Sequence, residues 1–373
     1  DLIKHPLIEV QRLGAAILVA RKDNPSDLPE DVFLALIESK DPEIRAAGVN
    51  LLGNMKDSEL SEMSALLASL LVSVDEPVRV QARQIIQRVA KNNTRFANEL
   101  LPQLIDEAFK AEPAEAAHEQ LVESVEDLEV AWRNVDKGQL WRLLMAQSRT
   151  AQRVGSVVLQ SRAYSEYTVK QWARLGKHVS QATRRWSRDA YTHNISRVRD
   201  DLTSGLRLLD TGWKDTRNFA LDYFRKNMNE RDWSEDHLVF LCDSTRDDVQ
   251  RLGRDLLREF FKEEQGERYL LKLSQHPSRN VQLFATEFLQ AHAAAKPEVI
   301  RQLNPYFITV LSSVNQARVA KDRVLSFLLA EARRDSRVAE QLSELLERQS
   351  VTIAIQDKAG FIQAMLSLQQ QYP

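Results

Sequence analysis

The residues of this chain that could do chemistry are few and far apart. Seven histidines (His5, His118, His178, His193, His237, His276 and His292) and a single cysteine, Cys242, are spread over 373 residues. No His-Glu-x-x-His or Cys-x-x-Cys spacing occurs, so nothing in the pattern supports a metal site. Gly-x-Gly-x-x-Gly, P-loop and Gly-x-Ser-x-Gly motifs are also missing, which leaves nucleotide binding and serine hydrolysis without their signatures. No catalytic, cofactor-binding or metal-binding residue is therefore assigned, no cofactor is expected, and no small-molecule substrate is evident. His5 and His276 each precede a proline and read as turn residues. His118 sits on a core stripe and reads as a satisfied or half-exposed histidine, and Cys242, on an apolar stripe, reads as core.

Arginine offers more. Between Arg149 and Arg199 stand eleven basic residues against Glu166 and Asp189. The same stretch holds Tyr164, Tyr167, Trp172, Trp186 and Tyr191. Just before it, Leu100 to Asp136 carries ten acids against Lys110 and Arg133. That acidic stretch reads as a solvated face, or as a surface that docks on the basic one. The molecule as a whole is nearly neutral, with a net charge of −2. Its middle thus differs in chemistry from both ends.

The elements that carry these arginines repeat. Val10-Gln11-Arg12-Leu13-Gly14 recurs as Val249-Gln250-Arg251-Leu252-Gly253. With the valine as position one, apolar or small residues fall at positions one, four, five, eight and nine, the stripe of an amphipathic helix. The stripe recurs from Val10, Ile44, Val78, Ala114, Ala151, Val179, Thr216, Val249, Val281 and Ala317, a mean step of about 34 residues. Position five is small in most copies, as in Gly14, Gly48, Ala82, Gly155, Ala220, Gly253 and Ala285. Glycine inside a helix costs about 1 kcal/mol against alanine, so its recurrence predicts a close backbone approach. A second apolar segment and a short polar turn precede each stripe, as in Val32 to Ile37 before Asp41-Pro42. One such pair cannot bury its apolar face alone, and stacking supplies the core.

Asp41-Pro42-Glu43-Ile44-Arg45 and Asp75-Glu76-Pro77-Val78-Arg79 resemble the turn and second-helix start of HEAT repeats, and Asp248-Val249-Gln250-Arg251 departs by one residue. The resemblance covers nearly the whole chain. It implies an all-α, right-handed superhelical solenoid of about ten helix pairs. The expected organisation is one array over 1–373, with N-terminal repeats at 1–99, an acidic repeat at 100–136, basic aromatic-rich repeats at 137–205 and C-terminal repeats at 206–373. It also implies that the second helices line a concave face. Positions two, three, six and seven would then face a groove holding twelve arginines against six acids. The binding candidates are Arg153, Arg184, Arg185, Arg188, Arg217, Arg251 and Arg254. Arg184, Arg185 and Arg188 are three or four residues apart and share one helix face. The plainer role for such arginines is pairing with turn acids, as Arg45 would with Asp41.

The function expected is a non-enzymatic interaction scaffold that grips a protein partner with an acidic surface. The alternative is a nucleic-acid binder, including the DNA-alkylation-repair glycosylases, which also use HEAT-like helices with tryptophans and an aspartate in a basic groove. Trp213 and Asp222 share one repeat here, but no motif assigns a catalytic aspartate, and Trp186 falls on a core position. No run of 18 apolar residues predicts a membrane span. No signal peptide is visible, and one cysteine permits no intrachain disulfide, which suits the cytoplasm or another reducing intracellular compartment. The chain opens at Asp1 rather than Met, as a processed product or a part of a longer protein or assembly would.

Overall fold

The computed structural model describes residues 2–21, 28–260, 266–274, 279–312, 318–351 and 355–372. Among them every regular element is a helix, and the helices alternate as the HEAT-like pattern requires. Helix Ile8–Arg21 is the first second helix, preceded by the short 3-10 turn Leu2–Lys4. Pairs then follow such as Glu30–Ile37 with Pro42–Leu52, Ser64–Leu71 with Glu76–Ala90, and Glu235–Cys242 with Asp247–Phe260. The last pair, Ser336–Ser350 with Ile355–Gln371, lies beyond the ten stripes seen in the sequence. The expected stripe start Ala317 and the turn residue His276 lie outside the described residues.

The chain divides into two compact units, Asp1–Ala190 and Tyr191–Pro373. Within the first, the second helices pack one on the next through Ile8–Arg21, Pro42–Leu52, Glu76–Ala90, Ala117–Glu126 and Arg149–Leu159. Within the second, Lys214–Asn227 packs on Asp247–Phe260, and Arg279–Ala293, Arg318–Ala332 and Ile355–Gln371 stack in turn.

Local chemistry sets each pair. Asp41 caps its helix by accepting from the Glu43 and Ile44 amides at 3.1 and 3.2 Å, while Pro42 opens the first turn. The small residue at position five faces its own first helix. A Cβ placed on Gly48 would stand 3.0 Å from Leu36 Cβ, on Gly155 3.0 Å from Leu143 Cβ, and on Gly253 2.8 Å from Leu241 Cβ. In each case the neighbour lies twelve residues earlier. The close approach that the glycines predicted is present.

A second periodic feature sits in the turn. The residue at position two reaches back six positions to the carbonyl that closes the first helix. Gln11 donates to His5 at 2.5 Å, Arg79 to Ser73 at 2.9 Å, Gln152 to Ala146 at 2.6 Å, Arg217 to Thr211 at 3.1 Å and Gln250 to Ser244 at 2.6 Å. Arg45 makes the same bond to Ser39. The accepting residue often bonds forward in return: Ser73, Thr211 and Ser244 each accept the amide two residues on. This closes the turn from both sides and satisfies a terminal carbonyl.

The turn bond corrects the register of one repeat. Arg184 donates to the His178 carbonyl at 3.0 Å, so Arg184 is position two and Thr183 position one. The stripe placed from Val179 is one helical turn early; Val179 precedes helix Gln181–His193 and is 57% exposed. Position five becomes Ser187, small and buried, its hydroxyl donating to the Trp172 carbonyl at 2.7 Å. The steps from Ala151 to Thr183 and on to Thr216 become 32 and 33 residues, in place of 28 and 37. The stripe from Ala114 is early by the same amount. Gln87 donates to Asp127 at 2.8 Å and Arg83 pairs with Glu123, which aligns positions ten and six when His118 is position one.

Candidate functional site

The arginine candidates divide by what their guanidinium groups touch. In the N-terminal unit Arg184 is buried, and its Nη1 donates to the carbonyls of His178 and Val179 at 3.0 and 2.8 Å. Arg185 is exposed, and Arg188 is half-buried. The three therefore do not form one solvent-facing set. Arg153 occupies position three, one repeat before Arg185 at the same position. Its side chain is half exposed and lies 3.6 Å from Glu119 on the preceding second helix.

In the C-terminal unit Arg217 is spent like Arg184. It donates to Thr211 and pairs with Asp248 at 2.7 Å. Arg251 is exposed and Arg254 half-buried. The Arg254 charge partly offsets the burial that pushes the Cys242 thiol up to about 12.

Turn acids are paired, but across repeats rather than within one. Asp41 receives Arg12 of the preceding repeat at 2.6 Å, and this bond holds its carboxyl below the usual range. Arg45, expected on Asp41, instead meets Asp75 of the following repeat. Arg79 turns to the carbonyls of Ser73, Val74 and Glu115. Arg12, Arg45, Arg79, Arg83, Arg184 and Arg217 are thus engaged within the fold, so the sequence count of twelve arginines overstates the cations open to a partner. For Arg45, Arg79, Arg184 and Arg217 the physical reason is reach. A long donor at position two lies over the end of its own first helix, where carbonyls lack helical partners. The signal was readable: position two carries glutamine as readily as arginine, in Gln11, Gln152 and Gln250, which fits a donor rather than a charge.

Part of the acidic stretch pairs with cations of the neighbouring repeats. Within helix Ala117–Glu126, Glu123 meets Arg83 of the preceding repeat and Glu119 meets Arg153 of the following one. The aromatics of the basic stretch are chiefly core. Tyr167, Trp172, Trp186 and Tyr191 are buried. Trp186 packs edge-on against Tyr164 and Tyr167 with ring centres 4.9 and 5.5 Å apart, and burial pushes the Tyr167 hydroxyl up to about 12. They offer no row of open stacking platforms.

Beside Arg153 the surface opens into a cleft of about 510 Å³. Val122, Trp132, Val157 and Ala182 supply apolar wall, and Arg153, Glu126 and Gln160 supply polar groups. Sequence reasoning singled out Arg153 but not this cleft, because its walls come from three separate segments.

His118 and His5 serve the fold. His118 is buried with Nδ1 2.8 Å from the Thr150 hydroxyl. His5 accepts the Leu7 amide at 3.2 Å in its turn. Among the described residues no three His, Cys, Asp or Glu side chains gather as a metal would require. No described helix is long and apolar enough to cross a membrane. Asp222 is exposed on its helix.

No family model matches the chain, and no curated protein matches it. Solved structures do. A crystal structure of an engineered protein is 15% identical, covering 99% of this chain and 97% of that one, with a TM-score of 0.31. A chain from the structure of Kap95p with RanGDP is 11% identical, covering 99% of this chain and 60% of that one, with a TM-score of 0.30. A chain from a study of cadherin and beta-catenin is 12% identical, covering 99% and 98%, with a TM-score of 0.28.

Proposed function

We propose that this chain is a non-catalytic protein-interaction scaffold whose N-terminal unit grips a segment of an acidic partner protein. The observation that carries this reading is the cleft at Arg153, with apolar wall from Val122, Trp132 and Val157, and exposed Arg185 at the equivalent position one repeat on. An apolar side chain of the partner would fill the cleft while flanking carboxylates meet Arg153 and Arg185. Burial of the anchor supplies affinity, and the charges supply register and encounter rate. The local excess of basic residues between Arg149 and Arg199 favours such a partner. Arg188, Arg251 and Arg254 are further contact candidates; Arg184 and Arg217 are assigned to the turns. A single buried cysteine suits a reducing compartment.

The test is a pull-down with the wild-type chain and an Arg153→Glu/Arg185→Glu variant at two salt concentrations, beside gel shifts with single- and double-stranded DNA and RNA. The scaffold reading expects protein partners that survive nuclease treatment and are lost in the variant. Equal recovery by both proteins would sink it. Nucleic-acid binding that falls steeply with salt and vanishes in the variant would replace it with the nucleic-acid reading.

A further inference from the structure

The cleft at Arg153 is not uniform along its length. Two of its walls are the second helices Ala117–Glu126 and Arg149–Leu159. These helices meet near their N-terminal ends, where His118 Nδ1 lies 2.8 Å from the Thr150 hydroxyl and Arg153 lies 3.6 Å from Glu119. Ser180 and Ala182 join at this end from the start of helix Gln181–His193, which Thr183 ties to Ser156 through hydroxyls 2.8 Å apart. The charge here is positive, from Arg153 and from exposed Arg185 at the same position one repeat on.

The other end has the opposite character. Glu126 stands seven residues past Glu119, about 10 Å along the helix. It is exposed, and it is not among Glu119, Glu123 and Asp127, the acids that Arg153 and Arg83 meet. Across the cleft Gln160 donates its side-chain amide to the Ser156 carbonyl at 3.0 Å, so its Oε1 remains an acceptor. The half-buried Trp132 ring is fixed beside them by donation from Nε1 to the Val125 carbonyl at 2.8 Å. Both wall helices end here, adding the negative partial charge of their last carbonyls. A carboxylate, an amide oxygen and an indole face together suit a cation, by ion pair, hydrogen bond and cation–π attraction.

We propose that the Glu126–Trp132–Gln160 end of the cleft binds a lysine or arginine side chain of the same partner segment whose carboxylate meets Arg153. This rests on the scaffold reading above and specifies the segment as dipolar: acid, apolar anchor, base. A volume of about 510 Å³ is too small for a helix, which is about 10–12 Å across with its side chains. The segment is therefore extended. Residues at i, i+2 and i+4 of an extended chain face one side and span about 13 Å, and the length of the basic side chain takes up the excess over 10 Å. The middle residue of the three packs on Val122 and Val157.

Selection of displayed random dodecapeptides on the immobilised full chain tests this, with Glu126→Lys and Arg153→Glu/Arg185→Glu beside the wild type. All three changes are at exposed sites, and circular dichroism confirms the fold. The wild type should enrich peptides with an acid, an apolar residue and a base at alternate positions. In fluorescence anisotropy, Glu126→Lys should weaken the best of them about tenfold. Exchanging the peptide's base for glutamate should restore binding to Glu126→Lys, a rescue that damaged folding would not give. Enriched peptides without the base, or binding unchanged by Glu126→Lys, would overturn the cation site; if Arg153→Glu/Arg185→Glu still abolished binding, the scaffold reading would stand. Binding indifferent to Arg153→Glu/Arg185→Glu, or no enrichment at all, would overturn both.

Discussion

Arg184 reaches back six residues and donates from Nη1 to the carbonyl of His178, 3.0 Å away. Its neighbour Arg185 points to solvent. Sequence alone makes the two arginines alike, and the fold gives them different work. Removing a buried, charge-assisted hydrogen bond costs about 1.5–3 kcal/mol, whereas most surface changes stay within about 0.5 kcal/mol. Arg184→Met should therefore lower the denaturation midpoint clearly, and Arg185→Met should leave it unchanged. Equal effects in urea unfolding would contradict the turn assignment.

Two glycines inside helices should respond oppositely to alanine. A Cβ on Gly253 would stand 2.7 Å from the Cys242 amide nitrogen, too close for backbone to accommodate without a shift. Gly253→Ala should destabilise by about 1–3 kcal/mol through overpacking. Gly360 has nothing within 4 Å of its Cβ direction. There, Gly360→Ala should stabilise by up to about 1 kcal/mol through helix propensity. Thermal melts of both variants read the signs directly.

His178 makes stability depend on pH. Its Nδ1 accepts the Ser180 amide at 3.0 Å and its Nε2–H donates to the Leu144 carbonyl at 3.0 Å, an arrangement only the neutral ring allows. Burial, and to a lesser degree the Arg184 charge, push its pKa below the ordinary 6.5. Above that value both folded and unfolded rings are neutral and the group contributes no slope. Below it the unfolded ring binds a proton first, so stability falls as pH falls until the folded ring also titrates. Melting temperature should drop between pH 7 and 5.5, and His178→Gln should flatten the slope in part. A residual slope is expected from His237, whose pKa burial also lowers.

Cys242 should be silent toward thiol reagents in the native state. It is fully buried, and burial pushes its thiol up to about 12, so little thiolate exists at pH 8. Labelling should proceed through opening, at a rate set by stability. Gly253→Ala, placed against the Cys242 backbone, should speed it. Prompt labelling of the folded wild type would mean the helix pair is open there.

The sequence by itself determined the architecture. Recurrent apolar stripes, turn prolines and small residues at position five specify paired helices with a tight backbone approach, because a Cβ added at Gly48, Gly155 or Gly253 would stand 2.8–3.0 Å from the leucine twelve residues earlier. It also determined that Cys242 is core, whereas His118, read as a satisfied or half-exposed histidine, is buried against Thr150 only in the folded array. Register was only partly legible: an i, i+3, i+4 stripe shifted by one turn still overlaps itself, so Val179 and Thr183 could each begin a stripe. The Arg184 bond to His178 removes that ambiguity. The fate of the arginines was decided by tertiary structure, since Arg45 meets an acid thirty residues away in the next repeat rather than one on its own turn. Charge counts along a chain cannot say which cations are spent on carbonyls, on a neighbouring repeat or on water. That depends on where the helix ends lie. The cleft at Arg153 is likewise a property of what stacking covers and what it leaves open.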